Sequence, residues 1–358
     1  MKKVLLVTDV TFWEKSSGHR VRISALIKYL AVNVNLTIVI TGPAPQNIEV
    51  ILGANYKAEF FILEKAKYLN SNGYGRRLKT FLGDRHFDCI IIEYIHSSYF
   101  LSFLIEETLV ILDAHDIISE RTAQFKKYNQ AGTLYELSET TETEMFNLYD
   151  YILVLCPADR DKVASMAGHS KALLCPHPVK ALRHRVRPAV KNIGFIASGY
   201  LPNADAISWF IKHCWPDISG SYDVQLCIYG SVCDWFRSCD LHQVVLKGFV
   251  ADIRRIYREV DIVINPIRFG AGLKIKNLEA LAHGLPLVTT SHGSRGIENG
   301  KNEAYMLANT ADEFIRAISS LIEDAGLRKR LRRNAHRYVN ENLTADNCFG
   351  PLLEVINA

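Results

Sequence analysis

The chain has 358 residues, about twice what one hydrophobic core comfortably fills, so two domains are expected. Hydrophobic residues make up 48% and charged residues 22%, which excludes the disordered and collagen-like classes. A formal net charge of +4 is too small over this length to indicate a nucleic-acid binder, which carries basic clusters interleaved with aromatics.

Residues 4–8 form an apolar run too short for a signal-peptide core, and Asp9 closes it. No stretch approaches about 18 uninterrupted apolar residues, so no membrane span is expected and the location is read as cytoplasmic. The eight cysteines, at 89, 156, 175, 214, 227, 233, 239 and 348, form no C-x-x-C pair and no zinc spacing. They read as reduced thiols, several of them buried in strands, such as Cys89 and Cys227. No metal is expected.

In chain order, short runs rich in Val, Ile and Leu predict strands at 4–8, 36–40, 89–93, 109–113 and 151–155. Their lack of polar alternation suits parallel strands buried on both faces. Helical patterns fall between them, at 20–30 and 134–148. Pro176-His177-Pro178 closes this half, and the basic, turn-prone residues 181–188 read as a solvated connector. A weak peripheral contact with an anionic membrane at its inner face is the second reading of that connector. The plan then repeats, with strands predicted at 193–197, 224–229, 244–246, 262–265 and 287–290. Helices are predicted at 204–212, 252–259, 274–283, 311–322 and 326–340. The fold class is therefore α/β, with two Rossmann-like domains of parallel sheet. The boundaries are 1–180 for the first domain and 190–340 for the second, with 341–358 a helix crossing back to the first. Open sheets of this kind bind ligands at the carboxyl ends of their strands, and two such edges facing each other would form one cleft.

The strongest motif runs Asn265-Pro266-Ile267-Arg268-Phe269-Gly270-Ala271-Gly272-Leu273-Lys274-Ile275-Lys276-Asn277-Leu278-Glu279 and continues to Val288. A strand ends in Asn-Pro, two glycines let backbone approach a ligand, and a helix is expected to start near Leu273. Lys274 and Lys276 then lie in the first turn, where the helix dipole is already positive. Their placement makes sense if a phosphate docks there, with N–H groups, dipole and ammonium groups acting together. Glu279 suits a ribose diol. On the residues alone, a surface Lys276–Glu279 pair beside a glycine turn reads equally well.

The whole string resembles the signature of the retaining glycosyltransferases of group 1 (family four), in its G-A-G-x-K-x-K-x-x-E-A-x-A-x-G-x-P-x-V form. The resemblance extends over most of the chain. Gly194 to Phe210, with Ser198, Gly199, Pro202 and Asn203, is similar to the family's G-x-x-x-P-N-x-D-A-x-x-W-F segment. Residues 246–252 are similar to its G-x-V-x-D turn, which implies that the backbone of Phe249 and Val250 brackets a nucleobase. In the first half, Ser16-Ser17-Gly18-His19-Arg20 lies where the family carries a glycine loop near the donor diphosphate. His115, in Asp113-Ala114-His115-Asp116, lies at the position of a histidine that contacts the transferred sugar. Glu93 and His96 are acceptor-side candidates.

The resemblance implies a GT-B fold with its sheets facing across a cleft. It also implies transfer of a sugar from a nucleoside-diphosphate sugar to a glycan, lipid-linked sugar or small molecule, with retention. The nucleotide sugar would be a co-substrate, with no cofactor and no metal, since no D-x-D with supporting ligands is present. Lys274, with Lys276 and Arg268, would stabilise the leaving diphosphate; Glu279 would anchor ribose and His115 would orient the sugar. The sequence departs from the pattern at Ala271, where much of the family has an acid eight residues before the glutamate. Sugar contacts then fall to backbone groups of residues 270–273. A lysine common after the first strand of the second half is also missing, with Asn203 in that segment. A sugar-nucleotide epimerase and a non-catalytic sugar-nucleotide-binding protein are the rival readings. The acceptor is set by residues 41–75 and 117–133, where no pattern transfers; Tyr94, Tyr99, Phe100 and Phe103 are aromatic candidates to receive it, with a core helix as the plainer reading.

Overall fold

The computed structural model describes residues 1–14, 17–42, 44–45, 47–63, 71–103, 108–130, 135–182, 187–237 and 242–358. Ser16, Leu134, Cys239 and residues 183–186 of the connector lie outside these. The chain divides into two compact units. The first comprises Met1–Pro178, Ala271–Leu273 and Ala345–Ala358; the second comprises Val179–Gly270 and Lys274–Thr344.

The first unit is built on a seven-stranded parallel sheet. Its strands are β1 (Lys3–Thr8), β2 (Asn35–Ile40), β3 (Glu59–Ile62), β4 (Cys89–Glu93), β5 (Leu109–Asp113), β6 (Tyr151–Val154) and β7 (Ala172–Leu174). Their spatial order is β3-β2-β1-β4-β5-β6-β7. The chain winds outward from β1 in one direction, then returns beside it with β4, so the β1/β4 junction is the point where strand order reverses. Every residue of β4 is buried, as its Cys-Ile-Ile-Ile-Glu sequence requires of a central strand covered by helices on both faces. Burying each such isoleucine is worth about 1.5–3 kcal/mol.

The second unit repeats the plan with six parallel strands. These are β8 (Asn192–Ile196), β9 (Gln225–Tyr229), β10 (Val244–Gly248), β11 (Ile262–Asn265), β12 (Leu287–Thr289) and β13 (Met306–Leu307). Their order is β10-β9-β8-β11-β12-β13, which places the reversal at β8/β11. Gly194 in β8 lies against Val260, whose methyl groups would stand 2.6–2.7 Å from any Cβ there, so the strand passes close beneath the end of the Ile253–Glu259 helix.

Every strand expected from the apolar runs is present, to within two residues at each end. β3, β7 and β13 were not signalled. They are two to four residues long and only partly buried, so no apolar run marks them. The helix expected over 134–148 is, in its described part, Glu139–Phe146, with Ser138 accepting from the Thr141 amide as its N-cap. A second correction concerns the glycine motif. Its helix runs Ile275–Ala282, with Lys274 as the N-cap residue in a non-helical conformation, so only Lys276 occupies the first turn.

The closing helix, Ala345–Asn357, packs within the first unit. Phe349 places its ring 5.5 Å from that of Tyr29 and 5.5 Å under the Arg22 guanidinium, both on the Gly18–Asn33 helix. Among the described residues no helix is long and apolar enough to cross a membrane. The seven described cysteines are all buried and in no disulfide.

Candidate functional site

At the carboxyl edge of the first sheet, β4 and β5 run in register with Glu93 opposite Asp113, and both then leave the sheet by an unusual turn. Tyr94 has φ 66° and His115 φ 60°, left-handed conformations that cost a non-glycine residue roughly 1–3 kcal/mol. The two rings stack, with centroids 4.2 Å apart and planes 11° from parallel. Tyr94 also stacks on His96 at 5.4 Å, and His96 Nε2 lies 3.0 Å from Asp9, which follows β1.

Beneath the rings lies a buried charge cluster. His115 Nε2 is 2.6 Å from Glu93 Oε2, and Arg22 contacts both oxygens of Asp113 at 3.0 and 3.1 Å. Glu93, Asp113 and Arg22 are each 0% exposed, and His115 is 7% exposed. Two buried carboxylates against one guanidinium leave a negative charge that only a shared proton on the Glu93–His115 pair can offset. Burial and Asp113 accordingly push Glu93 up to about 7. Burial alone would lower His115, but Asp113 and the bond to Glu93 outweigh it and hold the imidazole above its ordinary value. Donor atoms of Glu93, Asp113 and His115 lie within 4.8 Å of one another, but the guanidinium already occupies Asp113, so the set does not fit a metal ion. Glu93, read from sequence as an acceptor-side group, faces a histidine and no solvent. His96 is exposed at the same edge. Gly18 opens the Gly18–Asn33 helix, whose N-cap Ser17 makes no side-chain capping bond.

At the edge of the second sheet, the turns are glycine turns. Gly230 after β9, Gly248 closing β10 and Gly270 after β11 have φ of 96°, 65° and 110°. Gly199, after β8, donates its amide to Ser231 Oγ at 2.8 Å and accepts from Trp235 Nε1 at 3.0 Å. Ser198 is exposed, and its carbonyl accepts from Asn203 Nδ2 at 3.1 Å. Asn203 Oδ1 accepts from Lys276 Nζ at 2.8 Å, and that ammonium sits 4.8 Å over the Phe195 ring. The sequence motifs around Asn203 and Lys276 are thus joined directly. Lys274 is 9% exposed at the head of the Ile275–Ala282 helix. Phe249 is 69% exposed beside the partly buried Val250. Gly270 precedes Ala271, Gly272 and Leu273, which group with the first unit.

Glu279, one turn along the helix, accepts a hydrogen bond from Tyr257 at 3.0 Å. Burial raises Glu279 to about 7, and burial with the charge of Lys274 lowers Lys276 to about 7. Both groups are therefore held away from their charged forms, and a bound anion at Lys276 would restore the ammonium. The Arg268 guanidinium forks onto both Asp205 oxygens at 2.6 and 3.1 Å, and lies 5.7 Å over Trp209, so it braces the Leu201–His213 helix.

Sequence reasoning missed Arg22, Asp113, Tyr257, Ser231 and Trp235. Arg22 carried a signal, a charge on the helix face that Ile23, Leu26, Ile27 and Leu30 bury. Tyr257 carried none, because it lies 22 residues from the glutamate it touches.

Residues 190–324 match the family model described as glycosyl transferases group 1. Over 306 residues, 78% of the chain and 76% of the relative, the sequence is 22% identical to an uncharacterised 44.6 kDa protein of the cps region of Klebsiella pneumoniae. Among solved structures, S. aureus TarM overlays with a TM-score of 0.77 at 12% identity, covering 100% of both chains. Sucrose-phosphate synthase from Thermosynechococcus elongatus gives 0.77 at 12%, covering 100% and 98%. Anabaena HepE, solved with UDP and glucose, gives 0.73 at 13%, covering 100% of both. The chain has the two-Rossmann-domain GT-B fold, and it is homologous through its second domain to the group 1 glycosyl transferases.

Proposed function

We propose that this chain transfers a sugar from a nucleoside-diphosphate sugar to a saccharide or lipid-linked acceptor, with retention at the anomeric carbon and without a metal ion. The observation that carries the proposal is the head of the Ile275–Ala282 helix. It follows a glycine turn, has no side-chain cap, and carries Lys274 at its N-cap, Lys276 in its first turn and Glu279 beyond. Uncapped N–H groups, a helix dipole and an ammonium form a site for a diphosphate. HepE was solved with UDP and glucose, and with UDP-glucose, which supports a nucleotide sugar as the donor.

In the reaction the bond between the anomeric carbon and the diphosphate oxygen breaks, and the electron pair leaves with the nucleotide. Negative charge grows on the diphosphate while the sugar becomes oxocarbenium-like. Lys274 and the helix N–H groups stabilise the leaving dianion, an arrangement preorganised before charge develops. Glu279, oriented by Tyr257, holds the ribose, and Phe249 and Val250 flank the base. Gly18, at the head of a second uncapped helix, is assigned to the diphosphate, Ser198, Gly199 and Asn203 to the donor side, and backbone groups of Gly270, Ala271, Gly272 and Leu273 to the sugar. His115 orients the sugar, and His96 lies on the acceptor side.

The test is release of nucleoside diphosphate from a panel of donors. Lys274→Ala should lower kcat/KM about 100-fold, as loss of a charged stabiliser of the leaving group does. Glu279→Ala should raise donor KM about tenfold, with a smaller change in kcat. If both variants bind and turn over donor as the wild type does, the diphosphate sits elsewhere.

A further inference from the structure

The transferase reading gives His115 a task, but an imidazole can orient a sugar only if its own ring is held and its proton placed. Three observations on the first unit bear on this. The Nε2 atom is taken by Glu93 at 2.6 Å, while Nδ1 has no protein partner among the described residues. Glu93 is wholly buried, and among the described residues its second oxygen, Oε1, has no hydrogen-bond partner and its contact with His115 is the one polar bond that it makes. The backbone at His115 is left-handed, and its ring is pressed against Tyr94, which is itself left-handed. Two strained residues and a buried, half-satisfied carboxylate converge on a single imidazole. Strain and unmet polar capacity of this kind persist where a fold is organised around a site.

We infer that Glu93 is a positioning residue for sugar transfer, holding His115 by Nε2 as an imidazolium whose Nδ1–H donates to an oxygen of the donor sugar. The inference rests on the proposed transferase reading and adds to it the proton state and the support of the histidine. Charged groups facing the pair are Asp113 from β5, with Arg22 and His19 from the Gly18–Asn33 helix. Arg22 offsets only part of the Asp113 charge, which lies 3.9 Å from the imidazole, and Glu93 is the carboxylate that bonds the histidine directly. Tyr94 closes one ring face, which prevents the imidazole from rotating while Glu93 grips its edge.

Glu93→Gln preserves shape and removes charge; Glu93→Asp preserves charge and withdraws it by one methylene. With Gln, kcat for nucleoside-diphosphate release should fall about 10- to 100-fold, donor KM should move less than about threefold, and affinity for free UDP should hold. Because the His115 midpoint drops without the carboxylate, the remaining activity should be lost at lower pH than in the wild type, as pH rises through that lowered midpoint. Nitrogen NMR of the imidazole provides a second readout, independent of turnover. In the wild type both His115 nitrogens should be protonated at pH 7, and Glu93→Gln should lower the midpoint by more than about one pH unit while Glu93→Asp keeps it nearer to the wild type. A packing role alone predicts the opposite order, with the isosteric Gln the milder change. The inference is overturned if Glu93→Gln keeps wild-type kcat and pH profile, or if His115 in the wild type is neutral at pH 7. Should Gln unfold the protein, the wild-type NMR titration still decides. Should the wild type release no nucleoside diphosphate from any donor, the transferase reading fails, and sugar transfer by this pair fails with it, whatever the NMR shows.

Discussion

The two sheets solve one geometric problem in two ways. At the edge of the second, β9, β10 and β11 leave through left-handed glycines, Gly230, Gly248 and Gly270, and what they offer a ligand is backbone. At the edge of the first, β4 and β5 leave through left-handed Tyr94 and His115, so the same bend is made at a cost of roughly 1–3 kcal/mol each. What is gained there is a pair of stacked side chains over a buried charge cluster. One edge presents backbone; the other presents stacked rings over a buried ion pair. The contrast shows that left-handed backbone is not by itself a glycine signature, and at Tyr94 and His115 the stacked, buried rings give a side-chain reason for it.

The largest effect that this contrast predicts is at Gly230. An ideal Cβ there would lie 2.1 Å from the Ala197 carbonyl oxygen, in a backbone conformation that already disfavours a side chain. Gly230→Ala should cost the second unit on the order of 3 kcal/mol and lower its Tm by about 6–12 °C. A thermal scan showing less than about 2 °C of change would mean that this edge tolerates side chains after all, and the comparison would lose one half.

A smaller effect sharpens it from the other side, since the second edge does contain one oriented side chain. Tyr257 is fully buried, stacks on His283 at 4.6 Å and donates to Glu279. Tyr257→Phe keeps the stack and removes only the hydroxyl. Donor KM should rise about tenfold, with kcat changed less than about threefold and Tm nearly unaffected. If kcat fell while KM held, Glu279 would act on the reacting centre, and the second edge would be doing the kind of work assigned here to the first.

Much of this was legible beforehand because parallel strands buried on both faces must be apolar throughout. The Cys-Ile-Ile-Ile-Glu run of β4 announces itself, whereas β3, with Glu59 exposed at its start, does not. The glycine motif was legible for a related reason, since glycines, lysines and a glutamate at fixed spacing on one turn and one helix need no knowledge of the rest of the chain. What was not legible was anything assembled across sequence. Arg268 looked free for a phosphate and is held by Asp205, 63 residues earlier. Glu93 looked available to an acceptor and lies under His115, 22 residues on. Lys274 and Lys276 looked equivalent, but one is the N-cap residue and the other reaches down to Asn203. Local spacing reports where a charge sits on its own element and says nothing of the partner that claims it.

The smallest predicted effect asks whether glycine outside the strand ends carries any of this meaning. Gly53, in the Ile48–Asn55 helix, and Gly220, in the Trp215–Ser221 helix, are exposed, and a Cβ at either would meet nothing within 4 Å. Neither backbone is left-handed. Alanine at each should therefore stabilise its own unit by about 0.4–1 kcal/mol, by narrowing the unfolded chain and favouring the helix. Thermal scans should show rises of about 1–4 °C, one in each unit, with donor turnover unchanged. A loss of stability at Gly220→Ala comparable to that at Gly230→Ala would show that the second unit resists any added Cβ, and the special standing of its strand-end glycines would go. A gain at both helices beside a collapse at Gly230 would tie the cost to the left-handed turn and its close carbonyl.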